Sequence, residues 1–588
     1  MDDSNSGNGA GHDQPNPMVG FTHLFGPPAP SERYRGLGNE HANAAMLKKL
    51  ANVIGTNQVR SDNAADWANN SIPAGYTYLA QLVGHDLVNT ALSSYELTGV
   101  ERPIWNTRPA SLGLETILAH GPSTARGAFG AHPRSEAEAG HAAACLRLEP
   151  AREGAELTGP LRDLPRTKRQ SGARDAVASL CVDPRNDTNA VLSQLTVAFS
   201  LFYNMILAAL ARIDRQGQLK IPPEFGTQPT AAFQFDEAYR LTVVSTLARH
   251  VVAHVYRRII RCDLMNRLLN RNVYNFYSSE YDNFIDKSAH TGTVTYEFAH
   301  AAGRIGHAMV RPEYKFRHNQ NSIFTLEESL SRSPIRGHFH LPLTKNWLVD
   351  WGLFFPFTCP LSKEIKPAVN ASAKIRPHAT LVMSTKLSIE TTKSAYQHYL
   401  NSLLGLDFMR GNVAELRSVA SIADIIVQRG PSRITENSNL LRCEELRKRK
   451  IGDWLQAAPG GSLLDTDEAN CIASDPPLLF YILLEADIEA KGERLGTLGS
   501  VVVAETIFRA LSRHERIAGR NAAAQEQAAG ELADQIFGVV GGSVPTTMPD
   551  MLCYVQRALP PSEQHIPLVD IPSLCGDSQG SIDDEQSD

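Results

Sequence analysis

Three short stretches of this chain put acid–base groups on otherwise apolar segments. In Ile72–Asp86, Tyr78, Gln81 and His85 are spaced three and four residues apart and share a face if the segment is helical. A neutral imidazole can take a proton from a bound peroxide and return it to the departing oxygen. Gln81, one turn earlier, can hold a water or a peroxide oxygen. In Asp183-Pro-Arg-Asn-Asp-Thr188, Arg185 sits near a helix start. A guanidinium keeps its charge and offers five donors, so it can stabilise charge building on an oxygen leaving a peroxide. In Tyr296–Arg311, His300, Arg304, His307 and Arg311 follow one another at four, three and four residues. The small residues Ala302, Gly303, Gly306 and Ala308 between them suit something flat pressed close to the backbone. Imidazole ligates iron and arginine suits carboxylates. Each stretch also has an ordinary structural reading: a satisfied core histidine, an arginine paired with Asp183 or Asp187, and a solvated charged face.

The elements that must position these groups are helical. Thr77–Leu92, Asn189–Arg212, Phe235–Leu269, Tyr296–Val310, Ser394–Leu406 and Pro477–Ala490 repeat apolar residues at three- and four-residue intervals. Strand-like alternation is scarce, so the fold class is all-α. Pro73 and Gly75 mark the turn before the His85 helix, and Pro184 and Asp187 are start signals for the next. Residues 1–18 read as a disordered tail, 19–560 as a single domain, and 561–588 as a C-terminal tail, acidic and disordered at its end. Within the domain, residues 121–174 turn to Ala, Gly, Glu, Arg and Pro and read as a loop-rich surface excursion.

A formal charge of −6, with no basic run longer than Arg447–Lys450, gives no sign of a nucleic-acid partner. The eight cysteines are widely spaced and contain no CxxC pair, which argues against a zinc knuckle. Residues 1–18 lack a basic start and an apolar core, which points to a cytoplasmic chain or one exported without a classical signal peptide. The apolar run Ala190–Leu210 contains Ser193, Gln194, Thr196, Ser200 and Asn204, so it reads as a buried helix and no transmembrane segment is expected.

Taken together, the three stretches resemble the animal heme peroxidase superfamily, in its bacterial, peroxidasin-like branch. Ile72–Asp86 resembles the family's distal-histidine helix, Asp183–Asp187 its catalytic-arginine motif and Glu297–Arg311 its proximal-histidine helix. Further similarity lies in Asn106–Leu118, Asp350–Phe355 and Asp475–Thr506, in the family's order over residues 19–510. The resemblance implies a mainly helical fold and a heme peroxidase that uses H₂O₂ to oxidise a small organic donor through a ferryl intermediate. It assigns His85 as distal acid–base group, Arg185 as the arginine assisting O–O cleavage and Gln81 as the distal glutamine. His307 becomes the proximal iron ligand, and Arg304 and His300 become cofactor-binding residues. It also implies a second residue, commonly Asn, behind His307, for which Asn370 is a candidate. Two alternatives stay open: an oxygenase or specialised oxidase on the same scaffold, and a non-enzymatic heme binder or redox sensor.

The departures from the family are informative. Gly84 and Thr188 stand where many members carry the acidic residues that esterify heme, which implies heme b held without covalent bonds. Pro109 and Gly113 replace usual calcium ligands, leaving Asp86 as the clear matching side chain beside Glu115. Calcium takes six to eight oxygens, so calcium is not expected and Asp86 is expected to bond backbone amides. Arg304 stands where the oxygenase branch places its radical-forming tyrosine, which favours peroxidase chemistry.

Overall fold

The computed structural model describes residues 20–59, 63, 65–89, 106–130, 141–153, 159–167, 179–225, 237–280, 284–285, 293–318, 323–330, 343–358, 365–380, 403–516, 522–539 and 542–570. Helices dominate them, as the all-α expectation has it. Their strands are short and pair as five two-stranded ribbons.

The centre is the helix Ala190–Arg215. Asn189 caps it by accepting the amide hydrogen of Leu192, and eighteen of its residues are buried. A cap of this kind contributes about 1 kcal/mol, and each large apolar side chain removed from water about 1.5–3 kcal/mol. This helix is long and apolar enough to cross a membrane by composition, but 72% of its most apolar window is buried inside the protein. It packs against Glu237–Ile259, on which Ala522–Val539 lies in turn. Glu237–Ile259 continues as a π turn, Ile260–Leu264, and a last α turn, Met265–Leu268.

The His85 helix runs Ala74–Leu87, shorter at its end than the apolar periodicity suggests. Val88 is extended, and residues 90–92 fall outside the described residues. Gly75 in its first turn is required by close approach: a Cβ there would lie 2.6 Å from the Phe354 carbonyl oxygen, which accepts the Gly75 amide hydrogen at 2.9 Å.

Three expectations are corrected. The segment Tyr296–Val310 is not one helix. It breaks into Tyr296–His300, a 3-10 turn Ala302–Arg304, and Gly306–Met309, with Ala301 at φ −138°, ψ −78°. A Cβ on Gly303 would meet the Phe298 carbonyl oxygen at 2.8 Å, so the chain folds back too tightly for a regular turn. The 121–174 excursion is not wholly a surface loop. Within it, Arg162, Asp163 and Arg166 are buried, and Glu149–Pro150 pairs with Leu161–Asp163. The C-terminal tail does not begin at 561. Leu568 and Val569 are buried, and the Leu568 carbonyl accepts the Trp351 amide hydrogen. Of the helix expected at Ser394–Leu406, residues 394–402 lie outside the described residues, and the rest opens a helix Leu403–Val413. The expected tail at 1–18, and residues 571–588 of the one expected at 561–588, also lie outside them.

Candidate active site

The His85 side is built from two segments. His85, near the end of its helix, is half-buried, and its Nδ1 lies 3.0 Å from Asn186 Oδ1. The amide of Asn186 is oriented by its other end, because its Nδ2 donates to the Thr116 carbonyl at 3.2 Å. Asn186 Oδ1 is therefore an acceptor, His85 carries its proton on Nδ1, and Nε2 keeps a bare lone pair. Burial first, then the Arg185 charge, push the imidazole down to about 4. The ring is thus neutral, and a proton acceptor, through the neutral pH range.

Arg185 stands beside it but is heavily engaged. Its Nη1 donates to the Val88 carbonyl at 2.6 Å and its Nη2 to the His85 carbonyl at 2.9 Å. It thereby satisfies carbonyls that the end of the helix leaves open. Its Nε and Nη2 also hold Asp183, which Arg108 grips from the other side at 2.9 Å. Burial raises the Asp183 carboxyl, but the bonds to Arg185 more than offset it. One Nη1 hydrogen of Arg185 has no protein acceptor among the described residues. The ordinary ion pair with Asp183 and the position beside the histidine thus coexist. Gln81 Oε1 accepts from Asn189 Nδ2 at 3.3 Å. Tyr78, in contrast, is buried edge-on against Tyr314 and supports the helix from behind.

On the other side, His307 lies in the short Gly306–Met309 helix, which packs against the His85 helix. Its Nδ1 is 2.5 Å from Asp407 Oδ2. Asp407 comes from Leu403–Val413 and is 1% exposed. Burial opposes its charge, yet His307, Arg304 and Arg410 outweigh that and hold its carboxyl below the ordinary range. The residue behind His307 is therefore an aspartate. Asn370, the sequence candidate, instead bonds both backbone groups of Lys315 and ties the strand Glu313–Lys315 to the bend before Ala371–Ala373. His378 Nε2 lies 2.8 Å from the Ala308 carbonyl and steadies the residue next to His307.

Arg304 folds onto the Ala299 carbonyl at 2.9 Å, with Asp407 4.0 Å from its Nε. Its charge reaches across to His85, and that of Arg185 reaches Arg304. The structure thus brings His85, Arg185, Arg304 and His307 into one neighbourhood. His300 stays within reach of the Arg304, Arg410 and Asp407 charges, but its ring is turned into the protein. The break at Ala301 ends the helical register, and His300 is buried between the Phe21 and Tyr296 rings, with no hydrogen bond from either ring nitrogen.

Asp86 faces away from the site and accepts the amide hydrogens of Leu114 and Thr116 at 2.9 and 3.3 Å, as anticipated. Burial first, then Glu115, raise its carboxyl to about 6. The loop it pins is strained, with Leu112 and Leu114 at φ +47° and +57°.

Heme fits these residues. With Nδ1 engaged by Asp407, His307 has Nε2 left for iron. The glycines next to the two histidines both face open space, since a Cβ on Gly84 or Gly306 would meet nothing within 4 Å. Thr188 Oγ1, at the family's second ester position, is buried without a hydrogen-bond partner. Arg304 offers a cation for a propionate.

Asn186, Asn189 and Asp407 were not singled out by the sequence reading. The signal for Asp407 was available, a lone carboxylate inside the apolar run Leu403–Met409.

No protein-family model and no curated protein sequence matches the chain. Among solved structures it is similar to peroxidase A of Dictyostelium discoideum, with a TM-score of 0.52 and 11% identity over 91% of this chain and 95% of that one. Fatty acid alpha-dioxygenase of Oryza sativa gives a TM-score of 0.45 at 11% identity, over 84% and 79%. That of Arabidopsis thaliana gives 0.43 at 12%, over 83% and 74%. At such identities the likeness is one of fold: the chain has the mainly helical peroxidase-like architecture.

Proposed function

We propose that the chain is a heme-dependent peroxidase, which uses H₂O₂ to oxidise a small organic donor. The observation that carries this reading is the pair of Nδ1 anchors, one on each histidine. His85 Nδ1 is tied to Asn186 and His307 Nδ1 to Asp407, so in each ring Nε2 is the nitrogen left for other partners. His307 Nε2 would hold the iron. His85 Nε2 would take a proton from one peroxide oxygen and return it to the outer, departing one. The free Nη1 hydrogen of Arg185 is suited to stabilising charge on that outer oxygen. Gln81 would hold a water at the same end, kept in place by Asn189. Bound heme would supply the oxidising equivalents, while the protein supplies orientation and electrostatics. Gly84 and Thr188 carry no carboxyl group, so the reading has the heme held by ligation, packing and Arg304 alone.

The test is a product analysis with hemin-loaded protein. Labelled H₂¹⁸O₂ and ¹⁸O₂ are supplied in separate reactions with a phenolic donor. The peroxidase reading expects donor turnover that depends on peroxide, with no label from O₂ in the product. Label incorporated from ¹⁸O₂ would instead assign an oxygenase on the same scaffold. Binding of hemin without any spectral response to peroxide would assign a heme binder or redox sensor.

A further inference from the structure

Asp407 receives more charge than any role in packing requires. One oxygen takes His307 Nδ1 at 2.5 Å. The other faces Arg410 Nη1 at 3.5 Å and Arg304 Nε at 4.0 Å. All of this converges on a side chain with no measurable exposure, where interactions between charges are strong. Leu404, Leu406, Phe408 and Met409 around it are buried and apolar. Arg410 lies one turn further along the same helix, at the i+3 position, with its side chain 29% exposed. It pairs with the carboxylate on the oxygen that does not face the imidazole.

Resting on the heme reading, we propose that Asp407 is a positioning residue that fixes the rotation of His307 and sets how strongly it donates to iron, and that Arg410 moderates that effect. Two steps of physical chemistry lead there. A carboxylate accepts an N–H more strongly than a neutral amide does. A ring whose Nδ1–H is pulled harder is the more electron-rich ligand through Nε2, and such a ligand favours the ferric over the ferrous state. Arg410 works in opposition. Its guanidinium draws charge toward the Oδ1 side of the carboxylate and weakens the pull of Oδ2 on the imidazole. The two residues therefore act on the iron with opposite signs, although they touch each other.

The experiment uses the full chain loaded with hemin and reads two quantities that do not depend on turnover. These are the ferric/ferrous midpoint potential and the frequency of the iron–histidine stretch in the ferrous resonance Raman spectrum. Asp407→Asn is expected to raise the potential and lower the stretching frequency. Arg410→Gln is expected to lower the potential and raise the frequency. Asp407→Glu, which restores the charge, is expected to recover part of the wild-type frequency. The proposal is overturned if Asp407→Asn leaves both quantities at their wild-type values, or if Arg410→Gln moves them in the same direction as Asp407→Asn. Should Asp407→Asn fail to fold, Arg410→Gln decides alone, because an unchanged or lowered frequency contradicts the scheme. Failure of the wild-type chain to bind hemin is a separate result and removes the heme reading itself.

Discussion

On the His85 side of the site the ring nitrogen is tied to a neutral amide, and the charge acting on it most strongly is the cation of Arg185. On the His307 side it is tied to a buried carboxylate, with two arginines behind that. The same side chain is thus prepared for two jobs. Burial beside a cation keeps an imidazole neutral and its lone pair free down to acid pH, as a proton shuttle needs. A carboxylate partner makes an imidazole a stronger donor, as a metal ligand needs. What differs is the charge one bond away, and a substitution at that bond should change the job.

The largest effect is expected from removing the shuttle. His85→Ala should slow the reaction with H₂O₂ by about two to four decades, the usual worth of general acid–base catalysis, while the resting Soret band stays. A rate near that of the parent would take the proton shuttle away from His85.

Next comes the exchange of partner charge. With its pKa pushed down to about 4, His85 is neutral above that value and protonated below it. The peroxide rate should therefore be flat from neutral pH down to about pH 5, and fall as pH drops through about 4. Asn186→Asp places a carboxylate against Nδ1 and favours the charged ring, so the midpoint should climb by about one unit or more. A midpoint unmoved in stopped-flow profiles would show that Asn186 does not govern the ring.

A smaller effect is expected from the grip on Asp183. Arg108→Leu removes one of the two guanidiniums that hold this carboxylate. Asp183 then rests on Arg185 alone, and the arginine loses part of its freedom to reach toward a peroxide. The Arg108–Asp183 pair is largely buried, but Arg185 still neutralises the carboxylate, so the peroxide rate should fall by about tenfold or less. A loss as large as that of His85→Ala would mean that Arg108, not Arg185, faces the chemistry.

The sequence was most legible where chemistry and local structure coincide. His85, Arg185 and His307 announce themselves because each is a polar residue on an apolar helix or at its mouth, and the structure groups them. Pro73 marks a real helix start, whereas Pro184 and Asp187 open a separate 3-10 turn and Asn189 caps the helix that follows. What periodicity could not show was the break at Ala301. That break depends on Gly303 folding against Phe298, a contact that spacing does not encode. It also leaves the His300 ring packed between Phe21 and Tyr296. Asp407 escaped because its partner lies 100 positions away in the chain. In addition, the expected helix stopped at Leu406, one residue short of it. The buried Arg162–Arg166 stretch was hidden for a related reason. Its polar composition reads as surface, yet Arg166 is satisfied by Asp163 and Asp187 together. Paired charges of this kind are what permit burial.

The account turns on iron held by residue 307 and worked on by residue 85. A hemin titration of the parent chain, His307→Ala and His85→Ala, followed by the Soret band and the ferrous iron–histidine Raman stretch, addresses this most directly. The account predicts one hemin per chain with an iron–histidine stretch in the parent and in His85→Ala, and loss of that stretch in His307→Ala. An unchanged stretch in His307→Ala would contradict it.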